Sequence, residues 1–446
     1  MLEGLTLRQK YIRYIVPSIA AQVVFTAYTL VDGIFVARGV GEIALAAVNI
    51  SAPYITLLWA LSITFAVGTS TAVARLKGEG NNEEAGRIFT RNIAAMAIVA
   101  LILSVMITVY KESFADFLGA TKDTKPYVVT YLGTIAPFSA TFLFSYTFEI
   151  LMATDGHPSL ATIIVSTGVV TNCVLDYVFI FILHKGVFGA AAATVIAQLV
   201  IILLYLTHFL SGRATIRFRR FRWDTKKIIR CIGNGIPTGI SELSPGLVTF
   251  VFVHSIERFL YEKALISYSA IAYIAQLLVI IAIGIGQGTQ PLISYYNGRG
   301  EKDKIRTLMQ YQFRTAMIIE AFAVVLVMIF AKQIAGIFIT SDIGLIEYTA
   351  NALRIFVIAS AVTAINVILA SGFTSLEKPA YGITISLGRC TYMLLPAILI
   401  AVVLLGGEGL WWGMLIAELF TLVVGILIYK KEVESGQVYR REIGAR

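Results

Sequence analysis

Twelve apolar runs of roughly 20 residues follow one another along the chain, and they restrict the possible folds more than any other feature. A helix of that length crosses the hydrocarbon layer of a bilayer with its backbone polar groups bonded internally. Hydrophobic residues make up 57% of the 446 residues and charged residues only 14%, which is too apolar for a water-soluble core. The sequence therefore predicts an all-α integral membrane protein. The approximate helix cores are residues 12–36, 49–74, 92–110, 126–152, 160–182, 187–210, 228–254, 267–294, 312–332, 348–371, 380–404 and 409–430.

Basic residues are distributed unequally between the connecting loops. Placing both termini in the cytoplasm assigns 26 of the 36 Lys and Arg residues to cytoplasmic segments and 8 to the opposite side. Because cytoplasmic loops carry an excess of Lys and Arg, we expect a multi-pass protein of the inner (plasma) membrane with both termini cytoplasmic. The net charge of +9 then requires no nucleic-acid partner. Arginines alternate with aromatic residues in 213–223, which favours a linker on anionic lipid headgroups over a nucleic-acid strip.

The chain also repeats itself at an offset of 220 residues. Pro17 then meets Pro237, and Gly68-Thr69 meets Gly288-Thr289. Matching loop glycines and mid-helix prolines are not explained by general hydrophobicity, so they indicate a duplicated unit. Six helices per unit is an even number, which gives both halves the same orientation in the membrane. The sequence thus predicts two parallel six-helix bundles around a central cleft. The predicted parts are an N-lobe (1–210), a basic cytoplasmic linker (211–227) and a C-lobe (228–446).

Polar residues in the first half lack polar counterparts in the second. The same offset pairs Asp32 with Phe252, Asp176 with Pro396 and Thr194 with Met414. Folding requirements common to both bundles would not be so one-sided. We therefore expect a functional site in the first bundle.

The candidate site consists of Asp32, Asn172, Asp176 and Thr194. Asn172 and Asp176 are four residues apart, so they lie on one face of the fifth helix. A charged residue at mid-bilayer costs about 2.5–3.5 kcal/mol and usually faces the protein interior. Such oxygen ligands suit a shared proton or Na⁺, so the predicted coupling ion is H⁺ or Na⁺, with no other metal or cofactor. The alternative is that both aspartates cap helix ends in water.

Pro17, the cysteines and the histidines are further polar or conformationally special residues of the chain. Pro17 lacks the amide proton of a helical hydrogen bond and permits the first helix to bend. The cysteines and the four histidines are scattered along the sequence, which gives no metal-ligand spacing. Arg354, Arg389, Glu320 and Glu418 lie in predicted helices, where they are expected to pair with each other or to extend toward the interface.

Several stretches of the chain resemble one transporter family. The segments LVDGIFVARGVGEIALAAVNISAP (30–53), ARLKGEG (74–80) and NCVLDYVFI (172–180) are similar to the multidrug and toxic compound extrusion (MATE) transporters, especially the DinF-like branch. The resemblance spans both halves. It implies that Asp32, Asn172, Asp176 and Thr194 form a cation-linked cluster and that Pro17 bends the first helix.

The same resemblance suggests the substrate region. It implies a functional acid at Glu149, for which the alternative is a residue at the cytoplasmic interface. Gln22, Phe25, Tyr28 and Thr29 are further candidates for lining the substrate cavity. In the tenth helix, where one branch of the family carries an aspartate, this chain has Ala364, so a C-lobe cation site of that kind is not expected.

Three functions are compatible with these features. The first is a cation-coupled efflux antiporter that exports amphipathic, often cationic, organic compounds by alternating access, acting as a monomer among membrane lipids. The second is a flippase for a lipid-linked saccharide or similar amphiphile, which predicts a cationic cavity. The third is a membrane-embedded enzyme, which requires a nucleophile with a base or a metal constellation. No such motif is present in the sequence, so we expect a transporter and not an enzyme.

Overall fold

Helices account for nearly all of the chain in the computed structural model. The structure describes residues 4–261, 263–339 and 343–443, apart from the side chains of Leu30, Glu42 and 432–443. Twelve of the described helices are long and apolar enough to span a membrane. They are α1 (Leu7–Gly39), α2 (Ile43–Gly78), α3 (Asn82–Val109), α4 (Lys125–Thr154), α5 (Pro158–Ile182), α6 (Gly186–Leu210), α7 (Thr225–Phe259), α8 (Lys263–Gly298), α9 (Lys302–Phe338), α10 (Ile343–Ser375), α11 (Pro379–Leu405) and α12 (Gly407–Lys431).

The predicted fold class, with twelve membrane-spanning helices, is confirmed. Each predicted apolar core lies within one observed helix, except that Tyr110 falls one residue beyond the end of α3. The helices are longer than the predicted apolar cores because polar residues at their ends continue the helix by one or more turns. α9, for example, begins ten residues before the predicted start at 312.

Local sequence features explain where several helices begin and change form. Thr6 caps α1 by accepting a hydrogen bond from the backbone N of Gln9, while the Gln9 side chain accepts one from the backbone N of Thr6. Pro158 occupies the first turn of α5, where its missing N–H is not needed. Towards its end α5 changes from α-helix to a π-helical turn at Tyr177–Ile182, directly after Asp176. Such turns often occur at functional sites.

The exposed surface of α3 is strongly apolar. Leu101, Ile102, Val105 and Val109 are 55–65% exposed and recur with helical spacing. In water, such a continuous apolar stripe would be unfavourable. In a bilayer, the same side chains contact lipid tails.

The described contacts divide the chain into two compact units. The first comprises Met1–Glu242, Gln287–Leu308 and Ser375–Glu377, and the second comprises the remainder. This grouping differs from the predicted division after residue 227, because the first part of α7 and the last part of α8 contact the first six helices. The division into an N-lobe, a linker and a C-lobe otherwise stays a prediction.

Close backbone packing explains why part of α7 belongs to the first unit. A Cβ atom added at Gly68 of α2 would lie 1.9 Å from the carbonyl oxygen of Cys231 in α7. A Cβ atom at Gly235 would lie 1.8 Å from the carbonyl oxygen of Thr64. Small residues allow helix backbones to approach closely. Glycine is therefore required on both helices at this crossing.

The linker packs on the first unit. The ring of Phe218 lies 4.8 Å from that of Phe89, and the backbone N of Arg219 donates a hydrogen bond to Thr90 Oγ1. Lys227 Nζ lies 3.0 Å from Glu84 Oε1. Trp223 remains 53% exposed. A role of the linker at lipid headgroups stays a prediction.

The second unit contains a buried ion pair. Arg389 Nε lies 3.1 Å from Glu418 Oε1, and both side chains are almost fully buried. Thr363 Oγ1 and Asn366 Nδ2 donate further hydrogen bonds to the Glu418 carboxylate, at 2.8 and 2.6 Å. The carboxylate of Glu418 therefore has donors for both oxygens.

The other charged residues predicted in these helices have separate partners. Glu320 accepts a hydrogen bond from Ser360, and its second oxygen is buried without a described partner. Arg354 donates to the carbonyl oxygen of Met328 and to Asn351. Of the four, only Arg389 and Glu418 pair with each other among the described residues.

Candidate functional site

Four polar residues from three helices meet inside the first unit. Asp32 comes from α1, Asn172 and Asp176 from α5, and Thr194 from α6. Asn172 and Asp176 are 1% and 0% exposed, and Thr194 is 7% exposed. The structure thus brings together the four residues that the sequence analysis selected. The alternative that the aspartates cap helix ends in water does not apply to Asp176, because this residue is fully buried.

Asn172 links the fifth and sixth helices. In the amide orientation that satisfies both of its ends, Asn172 Nδ2 donates to Asp176 Oδ2 at 2.8 Å. Its carbonyl oxygen then accepts from the backbone N of Thr194 at 3.2 Å. The Thr194 hydroxyl donates to the carbonyl oxygen of Ala190, one turn earlier in α6. One amide therefore holds the aspartate of α5 in a fixed position relative to α6.

The carboxyl groups of Asp32 and Asp176 are close neighbours inside the first unit. Each also has one buried oxygen, Oδ1, without a hydrogen-bond donor. Two neighbouring ionised carboxylates repel each other, so their proximity favours a bound proton or an intervening cation. Among the described residues, no Lys, Arg or His forms an ion pair with either group. The pair is therefore suited to capturing a small positive ion.

Two tyrosines border the carboxylate pair. Tyr28 of α1 lies near Thr194 and near both aspartates. Tyr131 of α4 lies near the same pair and is 7% exposed. The sequence analysis selected Tyr28 only for the cavity and missed Tyr131, because nothing in the sequence relates α4 to this cluster.

Pro17 lies inside the continuous helix α1. Its carbonyl oxygen accepts a hydrogen bond of 2.9 Å from Thr162 Oγ1 of α5. A hydroxyl from the neighbouring helix therefore contacts the helix at the residue where proline weakens it. A bend of α1 at Pro17 stays a prediction.

A cavity of about 70 Å³ lies beside the carboxylate cluster in the first unit. Much of its wall is aromatic: Phe25 and Trp59 pack edge to face with ring centroids 5.3 Å apart. Tyr146 continues this wall, 5.5 Å from Trp59. Tyr28 also lines the cavity. Aromatic faces of this kind provide apolar contact area and attract organic cations.

Polar groups are placed at several points of the same wall. Gln22 Nε2 donates to Gln287 Oε1 at 2.9 Å, and Gln287 Nε2 donates to the hydroxyl of Tyr146 at 3.1 Å. Glu149 and Glu242 both line the cavity. Among the described lining residues there are two carboxyl groups and no Lys or Arg. The described part of the cavity wall therefore combines neutral polar groups with two carboxyl groups and lacks a basic side chain of Lys or Arg.

Asn172 belongs both to the carboxylate cluster and to the cavity wall. Its side chain binds Asp176 in the cluster, and it also lines the cavity. A change in the charge of Asp176 therefore acts on a group that an occupant of the cavity would touch. No other residue of the predicted cluster is among the described lining residues.

The predicted cavity residues are placed unequally. Gln22, Phe25, Tyr28 and Glu149 line the cavity, whereas Thr29 does not. Thr29 is exposed, and its hydroxyl donates to the carbonyl oxygen of Phe25. It lies on a different helix face from Tyr28 because successive residues of an α-helix are rotated by about 100°.

The sequence analysis did not select Glu242. The signal was present, since Glu242 is a carboxyl group within the apolar run of α7.

Comparison with known proteins identifies a family. The MatE family model matches residues 17–178 and 237–401, well over half of the chain. The two matches begin 220 residues apart, which is the offset of the internal repeat.

Individual relatives agree with this match. The multidrug export protein MepA of Staphylococcus saprophyticus is 25% identical over 86% of this chain and 85% of its own length. A crystal structure of MATE in complex with MaL6 superposes with a TM-score of 0.90 at 23% identity and covers 97% of both chains. An outward-facing multidrug resistance MATE family transporter of the MOP superfamily gives 0.89 at 24% identity, with the same coverage. At these identities the solved structures establish the fold.

Proposed function

This chain belongs to the MatE family of multi-pass membrane transporters, and we propose that it is a cation-coupled multidrug efflux antiporter. Its cargo is amphipathic organic compounds, often cationic, and its driving ion is H⁺ or Na⁺. Ion binding at Asp32 and Asp176 drives alternating access of the cavity to the two sides of the inner membrane. Both termini are cytoplasmic, and the monomer is the working unit in the lipid bilayer.

One observation carries this proposal: Asn172 is part of both the carboxylate pair's surroundings and the cavity wall. Coupling between two sites requires that occupancy of one changes the free energy of binding at the other. Here a single amide contacts both sites, so a proton or Na⁺ at Asp176 changes the hydrogen bonds available to the cargo.

The chemistry of the wall favours cationic amphiphiles over lipid-linked saccharides. Two glutamates and several aromatic rings suit an organic cation. A flippase for a phosphate-linked lipid needs basic groups to bind the phosphate. The described lining residues include none, which supports the antiporter over the flippase.

The direct test uses purified protein in sealed vesicles that contain a fluorescent organic cation. An imposed proton gradient and an imposed Na⁺ gradient are applied separately, and the movement of the unmodified cation is recorded. We expect one of the two gradients to drive transport against the cation's concentration gradient. Protein-free vesicles are the control. Absence of transport under both gradients would contradict the proposal, and translocation of a lipid-linked phosphosaccharide alone would assign the flippase function.

Glu149→Gln is expected to reduce the apparent affinity for a monovalent organic cation by about tenfold, ~1.4 kcal/mol, because it removes a carboxyl group that can ionise beside a bound cation. A neutral compound of similar size and shape is expected to bind as before. The measurement is the concentration dependence of transport for the matched pair of compounds. Glu83→Gln is the control, since the Glu83 side chain is 66% exposed and pairs with Arg87. Equal loss for both compounds would show that Glu149 does not act through its charge.

A further inference from the structure

Asp155 joins three segments of the first unit outside the candidate transport site. It lies in the loop between α4 and α5, and its side chain is fully buried. Its Oδ1 accepts hydrogen bonds from the backbone N of Thr215 at 2.9 Å, from the backbone N of Ile216 at 2.8 Å and from the Thr215 hydroxyl. These donors hold the carboxylate in one orientation. Oδ2 accepts a longer hydrogen bond of 3.3 Å from the backbone N of Thr215 and faces two imidazole rings.

The rings belong to His157 and His208. His208 Nε2 lies 2.9 Å from Asp155 Oδ2, and His157 Nδ1 lies 3.5 Å from the same oxygen. His157 Nδ1 is a buried nitrogen without a hydrogen-bond partner. The three atoms lie within 4.8 Å of one another. His157 follows α4 and His208 lies in the last turn of α6, so folding alone brings the rings together.

Two of the three distances between ligand atoms are close to those in the shell of a small transition-metal ion, and all three atoms lie within 4.8 Å of one another. Tetrahedral Zn²⁺ with ligand bonds of about 2.0–2.2 Å has neighbouring ligand atoms about 3.4 Å apart. The distance between Asp155 Oδ2 and His157 Nδ1 is already 3.5 Å. The 2.9 Å contact with His208 has to lengthen by about 0.5 Å to reach the same spacing, which is a small rotation of a side chain.

We propose that Asp155, His157 and His208 form a binding site for a first-row divalent metal ion, with Zn²⁺ as the occupant and water in the fourth position. The donors to Asp155 Oδ1 from Thr215 and Ile216 then serve as outer-shell contacts that orient the ligating carboxylate. The bound ion connects the loop between α4 and α5 to the end of α6 and stabilises the attachment of the linker.

The charges around the site set its properties. Lys77 Nζ lies 3.7 Å from Asp155 Oδ1, and its positive charge opposes a second cation. We therefore expect binding weaker than that of a four-ligand structural zinc site. The side chain of His157 is 31% exposed, which gives the ion a route from solvent.

The test is a titration of the purified, tag-free full-length protein with Co²⁺ and then with Zn²⁺. Co²⁺ in a tetrahedral site gives visible absorption bands, and Zn²⁺ should displace it stoichiometrically at one ion per chain. His157→Gln is the informative variant because this side chain is partly exposed and makes no described hydrogen bond. We expect it to weaken Co²⁺ binding by at least about tenfold. Zn²⁺ should raise the thermal unfolding midpoint of the wild-type protein and not that of the variant.

The chain provides a matched control in its other two histidines. His184 and His254 are exposed and lie outside the cluster, so a variant with His184→Asn and His254→Gln should bind Co²⁺ as the wild type does. Wild-type protein without a tetrahedral Co²⁺ spectrum, or equal Co²⁺ binding by wild type and His157→Gln, would overturn the proposal. Loss of the bands in the control variant would also overturn it, because the ion would then occupy other histidines.

Discussion

Asp176→Asn is expected to reduce ion-driven export by about 5- to 150-fold. This factor corresponds to the loss of a coupling free energy of about 1–3 kcal/mol between the ion site and the cavity. Asparagine has nearly the same volume as aspartate, and its amide can donate a hydrogen bond to the neighbouring Asp32 carboxylate. It cannot bind and release a proton, and it is a weaker ligand for Na⁺. An ion that binds two conformations of the transporter with equal affinity does not shift the equilibrium between them. The measurement is the initial rate of organic-cation transport in vesicles under the gradient that drives the wild-type protein.

The effect must be separated from misfolding. The thermal unfolding midpoint of Asp176→Asn in detergent should remain close to that of the wild type. Asp116→Asn is the matched control, because Asp116 is exposed and pairs with Lys125 at the surface. We expect its transport rate to equal that of the wild type. Wild-type transport by a well-folded Asp176→Asn variant would remove Asp176 from the mechanism.

Arg389→Leu is expected to lower the free energy of unfolding by about 3–5 kcal/mol, because it leaves the Glu418 carboxylate buried without its countercharge. The hydrogen bonds from Thr363 and Asn366 remain, but neither carries a compensating charge. The measurement is equilibrium unfolding of the purified protein in mixed micelles with increasing denaturing detergent.

Two variants separate charge from packing in this experiment. Arg354→Leu removes an arginine of the same unit that donates to a backbone carbonyl and to Asn351, so its cost should be much smaller. The double variant Arg389→Leu with Glu418→Gln carries no isolated charge and should recover part of the lost stability. A single Arg389→Leu variant as stable as the wild type would show that the ion pair contributes nothing to folding.

The fold and the carboxylate cluster were largely predictable from the sequence. Apolar run length predicted the twelve helices because backbone hydrogen bonding in lipid permits few alternatives. The spacing of Asn172 and Asp176 predicted one helix face, and the internal offset indicated that Asp32 and Thr194 had no polar counterparts. Each of these arguments depends on local periodicity or on the repeat.

The parts that escaped prediction depend on contacts between distant segments. Glu242 of α7 lines the same cavity as Glu149 of α4, and no spacing in the sequence relates them. His157 and His208 appear scattered in the sequence, yet both rings face Asp155. Thr29 was predicted to line the cavity, but helical geometry directs its side chain elsewhere. Which helices become neighbours is decided by tertiary packing, which periodicity does not encode.

The amide of Asn172 has two N–H groups and one carbonyl oxygen to share. One N–H is given to Asp176 and the oxygen accepts from the backbone of Thr194, so a single N–H is left for anything in the cavity. If the amide turns to satisfy a guest more fully, it withdraws from the aspartate, which then needs another positive partner. Under the proposed mechanism, the guest and the Asp176 carboxylate are rivals for one donor, so occupancy of the cavity and ion occupancy of the carboxylate pair are linked through the hydrogen bonds of a single amide.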